Sequence, residues 1–142
     1  MTDPAGVAFL AATTLHLGFQ LTVTVLVYPA LARVPADSWA AAHDAHSRAI
    51  VPLVVLTYGA LLATGVWALL TTPMSAGLLL AALGTAVTFA TTAFVAAPTH
   101  TRLGREGRTD QAIRRLLTAD TVRAAGAALA TAGALLHWAQ QH

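Results

Sequence analysis

The positions of the arginines constrain this chain more than any other feature. All eight cationic side chains are arginine, and they fall into two groups with long apolar stretches between them. Two of them, Arg33 and Arg48, bracket one link. The other six crowd a second link and its flanks, at Arg102, Arg105, Arg108, Arg114, Arg115 and Arg123. Because arginines in short loops favour the cytoplasmic side of a membrane, both regions are predicted to lie in the cytoplasm.

The composition also indicates a membrane protein. Hydrophobic residues make up 56% of the 142 residues and charged residues only 10%, whereas soluble domains carry about 25% charged residues. Arginines at a membrane edge suit anionic lipid headgroups, and no basic patch is interleaved with aromatic residues. We therefore expect membrane lipids, and no nucleic acid, among the partners. The absence of cysteine excludes disulfides and thiolate metal sites.

Four apolar segments can be delimited, at about 4–32, 49–70, 76–98 and 124–139. The second helix is expected to begin earlier, near Ser38, and the fourth near Thr109 or Asp110, because these residues are good caps. Short links make sequential helices antiparallel. We predict one all-α domain, 1–142, that is an integral membrane antiparallel four-helix bundle. It would be a multi-pass protein of the inner (plasma) membrane with both termini outside.

Features of the segment ends agree with this interpretation. The first stretch lacks a basic n-region and is long enough to span a bilayer, so we expect it to be retained rather than cleaved. Trp39, Trp67 and Trp138 lie near the predicted interfaces, where tryptophan often anchors a membrane helix.

Small residues are concentrated in the third and fourth segments. Ala82, Ala86 and Ala90 form one small face, and Gly126 and Gly133 another. Such faces let membrane helices approach closely. They predict a symmetric homo-oligomer joined through one of these faces, and packing within a single bundle is the alternative.

Histidines and acidic or basic partners converge at the predicted cytoplasmic edge. His43 and His46 are three residues apart, so they share one helix face, and His100 follows Pro98 at the end of the third segment. The topology adds further polar groups at the same edge, namely Tyr28, Asp44, Arg48, Asp120 and Arg123.

Three interpretations of this cluster remain open. His43, His46 and His100 could bind a transition metal (copper, iron or zinc) or haem, with Asp120 as a further ligand or as a partner that orients a histidine. The cluster could instead be a metal-free acid–base or substrate-binding site. It could also consist of histidines that are merely solvated at the interface. Arg123 either snorkels to the headgroups or turns inward to pair with Asp120.

His16 and Gln20 lie deeper in the first segment. They are four residues apart, on one face, near its middle. Polar side chains at that depth usually face the interior and find a partner there. With Tyr28 they are candidates for substrate binding, at the floor of a cavity with the histidine cluster at its mouth. Alternatively, His16 is a packing residue.

Several short motifs resemble those of the anthrone-oxygenase-like group of small four-helix membrane proteins. Residues 27–31 (VYPAL) are similar to the YP-x-L ending of that group's first helix. Residues 98–103 (PTHTRL) are similar to its P-x-N-x-x-L ending of the third helix, with His100 where asparagine often stands. Related bacterial proteins carry motifs like residues 46–48 (HSR) and like the Asp120 and Arg123 pair. They often have a histidine where this chain has Val27.

The resemblance implies a membrane-embedded oxidoreductase, of the monooxygenase type, that acts on a lipophilic aromatic substrate such as an anthrone-type polyketide. His46 and His100 would then serve as acid–base groups or ligands. Arg48 and Arg123 would stabilise a phenolate or enolate oxyanion, and Asp120 would orient a partner. Two alternatives to an oxidoreductase are a small proton-coupled transporter that uses His16 and a subunit of a larger membrane complex.

Overall fold

The computed structural model describes residues 3–141, and nearly all of these residues lie in four helices. They are called the first to the fourth helix here and span Pro4–Ala32, Trp39–Thr71, Ala76–Glu106 and Asp110–Ala139. No strand occurs within the described range. The all-α prediction is confirmed. The links 33–38 and 107–109 lie at one end of the molecule, the arginine end, and Asp3 and Gln141 lie at the other, the terminal end.

Polar side chains cap three of the four helices. Asp3 accepts a hydrogen bond from the Ala5 backbone N–H (3.1 Å), and Ser75 accepts one from Leu78 (3.1 Å). Thr109 accepts one from the Ala112 backbone N–H (3.2 Å), as its residue type predicts. The second helix begins at Trp39, one residue from the expected start, although no side chain caps it.

The third helix is longer than the sequence predicted. The segment was expected to end at Pro98, with His100 in a loop, but the helix continues to Glu106, so this expectation is wrong. A π-helical turn at Thr92–Ala96 precedes the proline. Proline lacks an N–H and its ring crowds the preceding turn, and a wider turn accommodates both effects. Gly107, at φ +82°, then ends the helix in a conformation that suits glycine.

Three of the helices are long and apolar enough to cross a membrane: Pro4–Ala32, Trp39–Thr71 and Ala76–Glu106. The fourth helix does not qualify by the same measure. The charged residues Asp110, Arg114, Arg115, Asp120 and Arg123 occupy its first half, so its uncharged part begins only at residue 124. The prediction of a membrane protein is therefore supported by three helices.

The contacts between helices are uneven. The fourth helix packs along most of the third and also contacts the first, whereas the second packs mainly against the first and touches the third at few places. Neighbouring helices run in opposite directions. Thr131 donates a hydrogen bond to the Thr13 carbonyl (3.0 Å), and closer to the arginine end Gln20 donates to Asp120 (2.7 Å). This arrangement leaves a gap between the second and third helices.

Glycines create the close contact between the third and fourth helices. A Cβ at Gly84 would lie 2.5 Å from the Gly126 carbonyl oxygen, and one at Gly133 would lie 2.8 Å from the Gly77 carbonyl oxygen. The two backbones therefore touch where side chains are absent. The Gly126 and Gly133 face therefore packs against the third helix of the same chain. Packing within one bundle was the alternative to the oligomer interface predicted for this face.

The tryptophans divide into two groups. Trp67 and Trp138 are each 45% exposed, as interface anchors would be. Trp39 is only 2% exposed, and its indole Nε1 donates to the Leu103 carbonyl oxygen at 3.0 Å. The expectation that Trp39 anchors the interface is wrong, because it packs between the second and third helices.

Candidate functional site

A buried ion pair lies near the arginine end, where the first and fourth helices meet. Arg123 Nη2 donates to Asp120 Oδ1 at 2.8 Å, and the two side chains are 7% and 3% exposed. Gln20 Nε2 donates to the same carboxylate oxygen at 2.7 Å. Arg123 therefore turns inward rather than snorkelling. A charge removed from water needs such partners, since an unpaired buried charge is very costly.

The hydrogen bonds continue from Arg123 to the second and third helices. Arg123 Nη2 also donates to the Tyr28 hydroxyl (3.0 Å), and its guanidinium lies 5.5 Å from the centre of the Tyr28 ring. The hydroxyl lies 3.0 Å from His100 Nε2, and His100 Nδ1 lies 3.3 Å from His43 Nε2. We call these connected side chains the polar chain. Its members, from the interior outward, are Gln20, Asp120, Arg123, Tyr28, His100 and His43.

When both histidines are neutral, the available donors determine which group donates and which accepts in each hydrogen bond of the polar chain. Arg123 can only donate, so the Tyr28 oxygen accepts and the Tyr28 hydrogen points to His100 Nε2. His100 then carries its proton on Nδ1 and donates it to His43 Nε2. A proton that arrives at the Tyr28 oxygen can therefore be passed outward by successive transfers to His100 and His43.

The π turns place Tyr28 and His100 in the polar chain. The first helix contains a π turn at Val23–Val27. Each residue of an α-helix advances about 100° around the axis, so Tyr28 would otherwise lie about 80° from Gln20. The extra residue in the π turn removes one such step and leaves the two side chains about 20° apart. The turn at Thr92–Ala96 aligns His100 with the buried Thr88 in the same way.

An apolar cavity of about 210 Å³, the inner cavity, lies beside the polar chain. Its polar boundary contains Gln20, Tyr28, His100 and Arg123, and most of its other wall is aliphatic or aromatic, from Phe19, Val23, Ile50, Val51, Val54, Ala96 and Ala97. Within residues 3–141, Arg123 Nε is buried without a hydrogen-bond partner. Arg123 lines this cavity, and a guanidinium at an apolar cavity wall can bind a carbonyl or phenolate oxygen.

His46 lies beside the polar chain but is not hydrogen-bonded into it. Its ring is stacked on His100, with centroids 5.8 Å apart and planes 23° apart. Its Nε2 is buried and has no hydrogen-bond partner among the described residues. The structure thus brings together His43, His46 and His100. However, no group of three or more histidine or acidic side chains between residues 3 and 141 has the arrangement of a metal site. The metal site stays a prediction.

Two other predicted residues lie apart from the polar chain. Arg48 pairs with Asp44 one turn earlier on the same helix, and both side chains are more than 60% exposed. It is not brought to the inner cavity. His16 is 1% exposed and lies edge-on against the Tyr58 ring, with centroids 4.9 Å apart. It is thus deeper than the polar chain and is not bonded to it.

Sequence reasoning missed a contact of Thr92, which lines the inner cavity. The Tyr58 hydroxyl lies 2.7 Å from Thr92 Oγ1, and the Tyr58 ring meets Phe89 edge-on at 5.0 Å. Tyr58 was a usable signal, because a phenol near the middle of an apolar helix needs a partner. Its partner could not be identified without the arrangement of the helices.

A second polar cluster lies at the terminal end. His137 is 3% exposed, with Nδ1 2.7 Å from Ser75 Oγ and Nε2 3.3 Å from Asp3 Oδ2. The Gln141 amide nitrogen lies 2.8 Å from the same Nε2. These contacts tie the first and third helix caps to the end of the fourth helix. The cluster is distinct from the inner cavity.

No family model, curated protein or solved structure matches this chain. The resemblance to the anthrone-oxygenase-like group therefore rests on the motifs around Tyr28 and His100 and stays a prediction. The geometry adds that these two motifs, far apart in sequence, contribute side chains that are hydrogen-bonded to one another.

Proposed function

We propose that this chain is a membrane-embedded oxidoreductase that acts on a lipophilic aromatic molecule with an acidic hydroxyl group or an enolisable carbonyl group. The substrate would occupy the inner cavity with its oxygen toward Arg123. The carrying observation is the buried Arg123 guanidinium, with an unpartnered Nε, at the polar boundary of a cavity whose wall is mostly apolar. A planar aromatic body suits the walls, and a single oxyanion suits the donor.

The polar chain supplies acid–base chemistry in this proposal. The Tyr28 oxygen takes a proton from the substrate while its own proton passes to His100 Nε2, and the Nδ1 proton of His100 passes to His43. Arg123 stabilises the phenolate or enolate, and Asp120 with Gln20 holds the guanidinium in place. His46, stacked on His100, supports the orientation of that ring. General acid–base catalysis of this kind contributes about 10²–10⁴-fold.

Dioxygen is the proposed co-substrate. For an anthrone, the methylene carbon loses a proton to the polar chain, and the resulting enolate adds dioxygen. The proton returns to the peroxide, and loss of one water leaves a carbonyl group in place of the methylene. One dioxygen is consumed for each anthraquinone formed, with no further reductant.

The test uses anthrone and purified protein in detergent, with oxygen uptake and anthraquinone absorbance as two readouts. We expect wild-type protein to accelerate both in equal amounts. His100→Gln should lower the rate by about 10²-fold or more. The matched control is His137→Gln at the terminal end, which should retain the wild-type rate. Failure of the wild type to accelerate oxidation of anthrone, 1-naphthol and hydroquinones, or full activity of His100→Gln, would overturn the proposal.

A metal at His43, His46 and His100 would alter this chemistry, since imidazoles from two helices could bind copper, iron or zinc. Elemental analysis and an optical spectrum of the purified protein decide the matter. Stoichiometric metal that is lost in His46→Ala would support the metal version. A colourless protein with substoichiometric metal would leave the metal-free acid–base site.

The buried His16 favours a second candidate, a proton-coupled transporter. His16 is 1% exposed, and its Nε2 has no hydrogen-bond partner among the described residues. Few titratable groups occur so deep in a membrane helix. Proton-driven flux of aromatic or cationic solutes into liposomes, abolished by His16→Ala, would support it. Absence of flux for such a panel would remove this candidate.

We further propose that the fourth helix also crosses the inner membrane, which places both termini outside and the arginine end in the cytoplasm. The polar chain would then open toward the cytoplasm. Single cysteines at positions 37 and 141 test this, because the chain has no native cysteine. An impermeant maleimide should label only position 141 in intact cells. The reverse pattern would contradict the orientation.

A further inference from the structure

The gap between the second and third helices holds a second cavity, the outer cavity, of about 360 Å³. It lies on the terminal side of the Tyr58 and Phe89 contact. Its walls are apolar except for Thr85, and come from the first three helices, at Phe9, Leu61, Leu62, Gly65, Val66, Leu69, Ala82, Ala86 and Phe89. Among residues 3–141, no charged side chain lines it, so it suits a hydrocarbon group.

The inner and outer cavities are adjacent. Thr92 lines one and Phe89 lines the other, and three residues of helix correspond to about 5 Å along the axis. Tyr58 packs against Phe89 and is hydrogen-bonded to Thr92, so its side chain contacts one lining residue of each cavity. Both lie in the gap left because the second helix packs on the first and touches the third at few places.

The size of the inner cavity indicates that its ligand extends beyond it. Small-molecule sites usually measure roughly 300–1,000 Å³, and the inner cavity is only about 210 Å³. A ligand whose oxygen meets Arg123 cannot extend toward the first and fourth helices, because Gln20 and Asp120 are bonded there. The gap between the second and third helices is the apolar direction that remains.

We propose that the ligand is an amphiphile, a phenol or quinol head in the inner cavity and a long alkyl or prenyl-like tail that crosses the Tyr58 and Phe89 contact into the outer cavity. This inference rests on the proposed function for the head and adds the tail. The occupant of the outer cavity is thus part of the substrate, not a second copy of the chain or a bilayer lipid.

The test compares 4-ethylphenol with 4-dodecylphenol, each by calorimetric titration of purified protein in matched detergent. Ala86→Phe fills the outer cavity and should weaken dodecylphenol binding by about tenfold or more, the effect of losing about two buried methylene groups, while ethylphenol binding is unchanged. Leu83→Phe is the matched control. Leu83 is on the same helix but is 55% exposed and does not line the cavity, so neither affinity should change.

Two outcomes would overturn the proposal. In the first, Ala86→Phe leaves dodecylphenol binding unchanged, or weakens both phenols equally. In the second, Ala86→Phe changes the mass of the detergent-solubilised particle without changing the dependence on tail length, which would assign the outer cavity to a second copy. A photoreactive diazirine at the tail end gives an independent readout, since it should label positions 61–69 and 82–89 rather than the whole lipid-facing surface.

A third variant separates this inference from the proposed function. Arg123→Gln should weaken both phenols, because both heads meet the same donor. If Arg123→Gln has no effect while Ala86→Phe still discriminates by tail length, the tail site stands and the head site fails. If Arg123→Gln weakens both and Ala86→Phe does not discriminate, the head site stands and the tail site fails.

Discussion

The third helix is held in different ways along its two halves. In the terminal half, it touches the fourth helix backbone to backbone, because Gly77 and Gly84 face Gly126 and Gly133. In the half toward the arginine end, large polar side chains hold the helices together, through His100 and Arg123 with Tyr28 between them. Small residues pack the terminal half closely, and we call it the dense half. The half toward the arginine end, which contains the inner cavity, is called the open half.

This difference explains the position of both cavities. Since the fourth helix is drawn onto the third by glycines and onto the first by Gln20 and Thr131, the second helix is left with the first as its main neighbour. The gap that remains is lined mainly by apolar side chains.

The largest expected effect comes from adding a methyl group to the dense half. Gly133→Ala would place Cβ against backbone atoms of Gly77 and Leu80, which cannot move aside without separating the two helices. We expect a loss above the range of about 1–3 kcal/mol that is usual for overpacked interiors, because the added Cβ meets backbone atoms. Thermal unfolding in detergent measures it. Gly18→Ala is the control, because a Cβ at Gly18 meets nothing within 4 Å. Equal melting temperatures for the two variants would contradict the assignment of the dense half.

A double substitution distinguishes packing within one chain from packing between chains. Replacing Gly126 and Gly133 with leucine should unfold the protein rather than release intact single chains from an oligomer, since both glycines pack inside the chain. The Ala82, Ala86 and Ala90 face is the other face predicted for a homo-oligomer, but Ala82 and Ala86 line the outer cavity, so a second copy there would compete with the proposed ligand tail. A folded single-chain particle from the double leucine variant would contradict this account.

A somewhat smaller loss of stability is expected when the ion pair of the open half is broken. Arg123→Leu leaves Asp120 buried with Gln20 as its remaining partner, and loss of one member of a buried pair costs about 3–5 kcal/mol in soluble proteins, with smaller values expected for membrane helices. Arg48→Leu removes an exposed pair worth about 0–1 kcal/mol and serves as the control. If the two variants melt alike, Arg123 is solvated and the buried pair is wrong.

How far the sequence predicted these two halves depends on the kind of feature. The helices and their caps followed from local residues such as Thr109, and the inward turn of Arg123 was one of two stated alternatives. The π turns were not foreseen, although Pro29 and Pro98 marked both. Pro98 was interpreted as a helix end, and whether a helix ends or widens at proline depends on what packs against it.

The candidate site shows the same limit. Tyr28, His100, Asp120 and Arg123 were named from the sequence, and the structure brings them within hydrogen-bond distance. Arg48 was named with them and lies elsewhere, because a residue at a helix end can point to either side. Residue type and predicted edge were enough to choose candidates, but the helix rotation decided which of them meet.

The smallest expected effect concerns pH at the terminal end. Burial raises the pKa of Asp3, but hydrogen bonds from the Gly6 backbone, His137 and Gln141 outweigh it, so the pKa lies below its ordinary value. A carboxyl group with a lowered folded-state pKa stabilises the fold above its ordinary pKa, and this contribution is lost as the pH falls through the folded-state value. Asp3→Asn should therefore melt lower than wild type at neutral pH, with a difference that shrinks below about pH 4. A difference that is constant down to acid pH would show that the Asp3 charge is not involved.

The central claim is that Arg123 Nε donates to the oxygen of a lipophilic aromatic ligand in the inner cavity. Protein labelled with ¹⁵N-arginine in micelles tests it directly, by recording the eight arginine Nε signals before and after addition of anthrone. We predict that one Nε signal moves downfield and that this signal is absent from the spectrum of Arg123→Lys. No movement of any signal, or equal movement of the arginines at the exposed end, would contradict the account.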